Sequence, residues 1–153
     1  MSNEITDLSL CDVADAIRSR KLSATEVMEA TLARIERLQP IVNAFILLDG
    51  NGAMEAAQVA DELQANGEDL PSLHGVPMAH KDLLYRTGRV STCGSKIRSE
   101  VKADVTATAL ERLDAAGAIE IGTLNMAEFA ASGTGHNEHY GDCRNPWNTD
   151  HIV

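Results

Sequence analysis

The sequence predicts an α/β fold: a mixed, mostly parallel sheet covered by helices. Three observations lead there. Short apolar runs alternate with longer segments whose apolar residues recur at helical spacing, the pattern of strands joined through helices. Aromatic residues are only 3% of the 153, against a hydrophobic fraction of 44%. The core must therefore be built from Ala, Leu, Ile, Val and Met, which suits Ala-rich helices packed closely on a sheet. Three segments read as strands, fewer than the roughly five of an ordinary sheet, so the architecture is expected to be incomplete in this chain.

Each element has a local reason. Ser9 caps a short helix running to about Arg18, with Leu10, Val13, Ala14 and Ile17 on one face. Ser23 opens S-A-T-E, a capping box with Glu26. The helix it starts carries Met28, Thr31, Leu32, Ile35 and Leu38 at helical spacing, and Pro40 is expected to end it. Residues 44–48 (AFILL) read as a buried strand, and Gly50 and Gly52 as a turn. Residues 53–65 repeat apolar side chains at helical spacing, a third amphipathic helix. Residues 66–72 are polar and loop-like. Residues 75–81 (GVPMAHK) read as a strand, irregular or at an edge because Pro77 cannot donate to a ladder. Asp104 is placed to cap a helix over residues 105–116, with Gly117 as its C-terminal cap. Residues 118–122 form another short strand, and the chain from Ala131 onward is loop-like. No linker interrupts the chain: residues 1–72 read as a helical N-terminal region and residues 73–153 as a second stretch of the same single domain.

Composition narrows the function. The net charge is −10, and such a surface repels phosphate, so no direct nucleic-acid contact is expected. Cys11, Cys93 and Cys143 lie far apart and form no C-x-x-C pair, which predicts reduced thiols in a cytoplasmic protein. The opening MSNEITDLSL has neither the basic nor the apolar region of a secretory leader, and no stretch is long enough to span a membrane.

The chemistry concentrates in residues 73–95. Lys81 ends an apolar run and precedes Asp82. On these residues alone, Lys81 is either a solvated or Asp82-paired strand-end cation, or a desolvated lysine able to act as a general base.

A longer pattern bears on the choice. Gly75-Val76-Pro77 and Lys81-Asp82 match G-I/V-P-x-x-x-K-D. Ser91-Thr92-Cys93-Gly94-Ser95 is similar to a T-x-G-S turn. Asp104, Leu110, Leu113 and Ala116-Gly117-Ala118 match D-A-x-x-V-x-x-L-x-x-A-G-A. Gly122, Asn125, Met126, Glu128 and Phe129 match most of G-K-T-N-M-x-E-F, and Gly141 with Asn145-Pro146-Trp147-Asn148 matches G-x-x-x-N-P-W-N/D. In this ordered set, from residue 73 to 148, the chain resembles the amidase signature family. The resemblance implies the N-terminal part of that family's fold and a Ser-cisSer-Lys triad for cleaving a carboxamide C–N bond, with Lys81 as its lysine. The serines belong to a Gly/Ser-rich loop and beyond, past the N-P-W segment; the chain is expected to stop just before them and to be inactive alone.

The resemblance also implies a supporting role for Asp82 and Ser95 and a substrate-contacting one for Ser132, each of which also reads as an ordinary loop or turn residue. Thr123-Leu124 departs from the family's Lys-Thr, so a contact from that lysine is not expected. The implied substrate is a small-molecule amide, with no cofactor. One alternative is the A-type component of a tRNA-dependent amidotransferase, which hydrolyses glutamine's amide beside a B-type partner subunit. Another is a non-catalytic remnant or scaffold. His136 and His139, with His151 and Cys143, form too weak a pattern for a metal, and none is expected. Trp147 reads as a packed indole in a rigid turn, and Met28 and Met126 as core fillers.

Overall fold

The computed structural model of the chain describes residues 5–153; residues 1–4, where the segment read for a leader begins, lie outside the described residues. Its elements are α1 (Leu10–Arg18), α2 (Ala24–Val42), β1 (Phe45–Leu48), α3 (Gly50–Ala65), β2 (Pro77–Lys81), α4 (Thr108–Ala115) and β3 (Ile119–Leu124), with short 3-10 turns at Lys96–Arg98 and Glu128–Ala130. The chain divides into two compact units. One gathers the described residues up to Glu36 with Asp49–Met78 and Arg112–Ile121; the other gathers Arg37–Leu48, Ala79–Glu111 and Gly122–Val153.

Capping and a small apolar cluster organise the first unit. The Ser9 side chain accepts from Asp12 N and closes the start of α1. Ser23 Oγ accepts from Glu26 N at 3.0 Å while Glu26 Oε2 accepts from Ser23 N at 2.8 Å, the reciprocal box expected. Asp61 of α3 adds a cap no local pattern revealed. Its carboxylate accepts from Ala24 N, Thr25 N and the Thr25 hydroxyl at 2.7, 3.1 and 2.6 Å, placing negative charge at the positive end of α2. Gln64 Nε2 donates to Ile17 O at 2.6 Å, tying α3 to the end of α1. Ala14, Ile17, Val27 and Val76 form the apolar cluster. Met28 is fully buried, as expected, but Leu10 is exposed, so the buried stripe of α1 is narrower than its spacing implies.

Two boundaries differ from expectation. Asp49 caps Gly52 N at 3.0 Å, so α3 starts at Gly50 and the predicted glycine turn becomes its first helical turn. Pro40 does not end α2, which continues to Val42 with Pro40 inside it. A proline forfeits one amide donor, and so near a helix end little remains to be broken.

In the second unit, β1 is only partly covered: Leu47 and Leu48 are exposed, so the expected buried strand is a half-exposed one. The Gln39 side chain brackets Phe45, its Nε2 donating to Phe45 O at 2.9 Å and its Oε1 accepting from Phe45 N at 3.0 Å. The sheet order is β1-β3-β2. β1 runs antiparallel to β3, pairing Leu48 with Gly122 and Phe45 with Leu124 across a bulge. β2 and β3 advance together, because Ile119 N donates to Val76 O at 2.8 Å and Asp82 N to Leu124 O at 3.3 Å. The sheet is therefore mixed, and β2 lies at its edge, as Pro77 requires.

α4 begins at Thr108, later than the helix predicted from Asp104. The intervening residues are committed elsewhere. Lys102 and Ala103 bridge to Val90 and Thr87, and Ala107 N donates to Tyr85 O at 2.8 Å. Gly117 caps α4 with φ 85°, a conformation that favours glycine.

Gly122 is the tightest point of the sheet, since a Cβ there would lie 2.1 Å from Leu47 O. Gly122→Ala is expected to cost about 2 kcal/mol or more, as β1 must move to admit a methyl group. Urea unfolding followed by circular dichroism measures this; an unchanged midpoint would show that the β1–β3 contact does not hold the unit.

Candidate active site

The end of β2 and the residue after it carry three consecutive polar side chains, and alternation sorts them by environment. His80 is buried, Lys81 is exposed and Asp82 is buried. The dry surroundings expected for Lys81 from its apolar neighbours are not found among the described residues. In a strand, neighbours in sequence point to opposite faces, so an apolar run need not cover the residue that ends it.

Asp82 is 1% exposed. Its Oδ2 accepts from Thr92 N at 3.0 Å, from Gly94 N at 3.3 Å and from the Thr92 hydroxyl. Its backbone carbonyl accepts from Ser91 Oγ at 2.6 Å and from Cys93 N at 3.2 Å. The carboxylate is thus committed to the Ser91–Ser95 turn and not to Lys81. The Lys81 side chain has no hydrogen-bond or ion-pair partner among the described residues.

Ser95 is fully buried and faces away from the lysine question altogether. Its hydroxyl donates to Glu128 Oε1 at 2.5 Å and accepts from Ile97 N at 3.3 Å. The same Glu128 oxygen meets His139 Nε2 at 2.9 Å. Ser132 is exposed, and its hydroxyl pairs locally with Thr134, at 2.9 Å from Thr134 Oγ1. Asp82 and Ser95 thus belong to one connected turn, whereas neither Ser95 nor Ser132 bonds to Lys81.

Three contributors escaped the sequence reading. Thr92 is the main partner of Asp82; its place in the T-x-G-S match was the available signal. His139 joins Glu128 to Ser95. Asn137, 2% exposed, binds four backbone groups: Nδ2 donates to Gly94 O and Met126 O at 2.8 and 2.7 Å, and Oδ1 accepts from His139 N and Tyr140 N at 2.7 and 2.9 Å. No spacing marks that role. The network holds Cys93, Phe129 and Ala130 at positive φ of 55°, 53° and 56°, strain that only a well-anchored loop retains.

Electrostatics follows these bonds. The Ser95 hydroxyl, and after it the His139 ring, hold the Glu128 carboxyl below its ordinary value. The Asn137 amide, aided by His136, does the same for Asp142, while burial pushes the Cys143 thiol up. Cys11, Cys93 and Cys143 are free thiols. His136 pairs with Asp142 at 2.6 Å, and among the described residues no three His, Cys, Asp or Glu side chains are placed to hold a metal. Met126 is buried as expected, but Trp147 is 95% exposed, not packed. The rigid turn stands, with Trp147 N donating to Asn145 Oδ1 at 3.0 Å. Nothing within the turn offers the indole a surface. No helix among the described residues is long and apolar enough to cross a membrane.

The chain thus presents a mixed α/β sheet with an exposed strand-end lysine, followed by a buried carboxylate that pins a hydroxyl-rich turn. Residues 26–153 match the family described as Amidase, and the chain belongs to that family. It is 41% identical over 145 residues to the A-type component of the glutamyl-tRNA(Gln) amidotransferase of Ectopseudomonas mendocina, covering 95% of this chain and 30% of that protein. A structure solved as part of a vestigial protein complex bearing on the origins of an s-triazine catabolic enzyme is 39% identical with TM-score 0.89, over 95% of this chain and 32% of that one. A bacterial aryl acylamidase of the amidase signature enzymes is 28% identical with TM-score 0.88, over 94% of this chain and 30% of that one. The chain therefore spans about 30% of the length of the curated relatives it matches.

Two measurements check the network. Asp82→Ala strands the buried Thr92 amide and hydroxyl, while Gly94 N keeps the Thr92 hydroxyl at 3.0 Å, and is expected to destabilise the chain by about 3 kcal/mol, with amide exchange accelerated first at Thr92; uniform protection loss would contradict a local anchor. Glu128 contributes stability at pH values above the ordinary carboxyl value of 4.5, and loses it as pH falls through its lower folded value. Glu128→Gln should therefore flatten the decline of the urea midpoint on acidification; parallel curves for the two proteins would refute it.

Proposed function

We propose that this chain carries the lysine of an amide hydrolase acting through a Ser-cisSer-Lys triad, with Lys81 as the group that accepts the nucleophile's proton. The single observation that supports this most is the ordered run of motifs around Lys81-Asp82 in a chain of the Amidase family. In the mechanism, a serine hydroxyl attacks a carboxamide carbonyl, its proton passing through the second serine to the lysine amine. The amine then returns the proton to the leaving nitrogen, and water releases the acyl group. Asp82 would keep the Thr92–Gly94 turn in place beside the lysine, Ser95 would brace that turn from behind, and Ser132 would contact substrate.

Neither serine matches a position within these 153 residues, and Lys81 is exposed. Both the hydroxyls and the cover that keeps the amine out of bulk water would come from the remaining length of relatives about three times as long. A second reading has a specific observation in its favour: the curated relatives are named as the A-type component of a glutamyl-tRNA(Gln) amidotransferase. On that reading the amide is glutamine's, and a partner subunit receives the ammonia.

The chain alone is expected to hydrolyse no carboxamide, glutamine included. Fused to the remaining segment of the Ectopseudomonas mendocina relative, it should gain glutaminase or amidase activity, and Lys81→Ala should then lower kcat by about 10³-fold or more. Turnover by the chain alone, or an active fusion indifferent to Lys81, would overturn the assignment. Activity on simple amides with no partner present would favour the amidase reading over the amidotransferase one.

A further inference from the structure

Two Asn-Gly pairs stand in this chain, Asn51-Gly52 and Asn66-Gly67, one at each end of α3. Such a pair is open to self-modification. The glycine nitrogen has no side chain beside it to hinder its attack on the asparagine amide carbon. The attack requires the peptide between them to rotate until that nitrogen faces Cγ, and requires the nitrogen to give up its proton. What holds each glycine nitrogen therefore decides whether its pair reacts.

The first pair is locked. Asn51 and Gly52 lie in the first turn of α3. Gly52 N donates to Asp49 Oδ1 at 3.0 Å, and Ala53 N donates to Asp49 O at 3.0 Å. Rotation at Asn51 would break the cap and the first helical bond together. The Asp49 carboxylate also holds the proton on Gly52 N, because a negative charge beside a group opposes its ionisation to an anion. A Cβ at Gly52 would lie 2.7 Å from Asp49 Oδ2, so the carboxylate covers that residue closely.

The second pair is loosely held. Asn66 and Gly67 are both exposed. Gly67 has φ 77°, and a Cβ there would have nothing within 4 Å. Gly67 N donates to Gln64 O at 3.2 Å and Glu68 N to Leu63 O at 3.4 Å, long bonds at a helix end, where opening costs little. The acceptor of Gly67 N is a neutral carbonyl, not a carboxylate. Gln64 O also accepts from Arg20 Nη2 at 2.7 Å, so it keeps a donor when Gly67 N turns away.

We propose that Asn66-Gly67 is a site of spontaneous deamidation in the folded chain and that Asn51-Gly52 is protected from it. Gly67 N loses its proton to hydroxide and bonds to Asn66 Cγ. The bond from Cγ to the side-chain nitrogen breaks, and that nitrogen leaves as ammonia after taking a proton from water. Water then opens the cyclic imide at either carbonyl, giving aspartate or isoaspartate without oxidation or reduction. Either product places a new carboxylate at the C-terminal end of α3, the end that disfavours negative charge. Isoaspartate also adds a backbone methylene, which shifts Gly67 out of its capping position. The site is independent of the proposed hydrolysis.

The test is incubation of the full chain in mildly alkaline buffer, with and without guanidinium chloride, followed by peptide mapping with electron-transfer mass spectrometry. In the folded chain Asn66 is expected to convert to acid faster than Asn51 by about tenfold or more, the protection that stable helix bonds give. In denaturant the two rates should converge, because the Asp49 carboxylate no longer holds Gly52 N. Asn66→Gln should remove the main acidic species that accumulates on isoelectric focusing. Equal rates in the folded chain, a preference for Asn66 that survives denaturant unchanged, or no conversion of Asn66 would each overturn the proposal.

Discussion

A single buried carboxylate governs the turn that follows β2. Asp82 sits where β2 runs out, inaccessible to water, and would be prohibitively costly there without donors. Thr92 and Gly94 supply them, so the turn that follows β2 cannot relax without exposing an unpaired charge. The geometry of the whole 91–95 turn, including the left-handed backbone of Cys93, follows from that requirement. The carboxylate's neighbour in sequence takes no part in these bonds: Lys81 projects from the opposite face of the pleat.

The same turn is held from its far side. Phe129 N donates to Cys93 O at 2.8 Å, Glu128 receives the Ser95 hydroxyl, and Asn137 gathers Gly94, Met126, His139 and Tyr140. Each bond is modest by itself. Together they immobilise a stretch of chain that has almost no regular secondary structure, and they use side chains rather than ladders to do so. Loops that present reacting groups are commonly built this way, with rigidity supplied by polar cross-links because no sheet is available to supply it.

What could be read from the sequence was local. The Ser9 cap, the Ser23–Glu26 box and the Gly117 cap each involve residues within one turn of each other, and each appears in the structure where its pattern lies. The α/β class and the edge position of β2 were equally legible, because alternation and a proline are properties of short segments. Failures have other causes. Pro40 stays inside α2 because the helix ends only two residues later, and Trp147 stands in solvent because cover for an indole must come from outside its own turn. Lys81 is the instructive case: the order of residues around it reads as apolar, but which face of the strand receives cover is a tertiary matter. The Asp82–Thr92 and Asn137–Gly94 contacts link positions 10 and 43 residues apart, a separation at which no spacing rule operates.

Gln39 has a consequence for how this sheet can grow. Ala44 O accepts from Asn125 N on the β3 side at 2.7 Å, so the peptide groups of Phe45 point the other way, and there the glutamine amide already satisfies both. An added strand alongside β1 would first have to evict that side chain and find substitutes for both of its bonds. At the other flank the end of β2 is closed as well: Asp82 N turns toward Leu124 O, so Lys81 O points outward, where it accepts from Leu84 N at 3.0 Å and lies 3.1 Å from His80 Nδ1. Both margins of the sheet thus carry a local stop, a glutamine amide beside β1 and a tight turn where β2 ends, and each limits how far a further strand can pair.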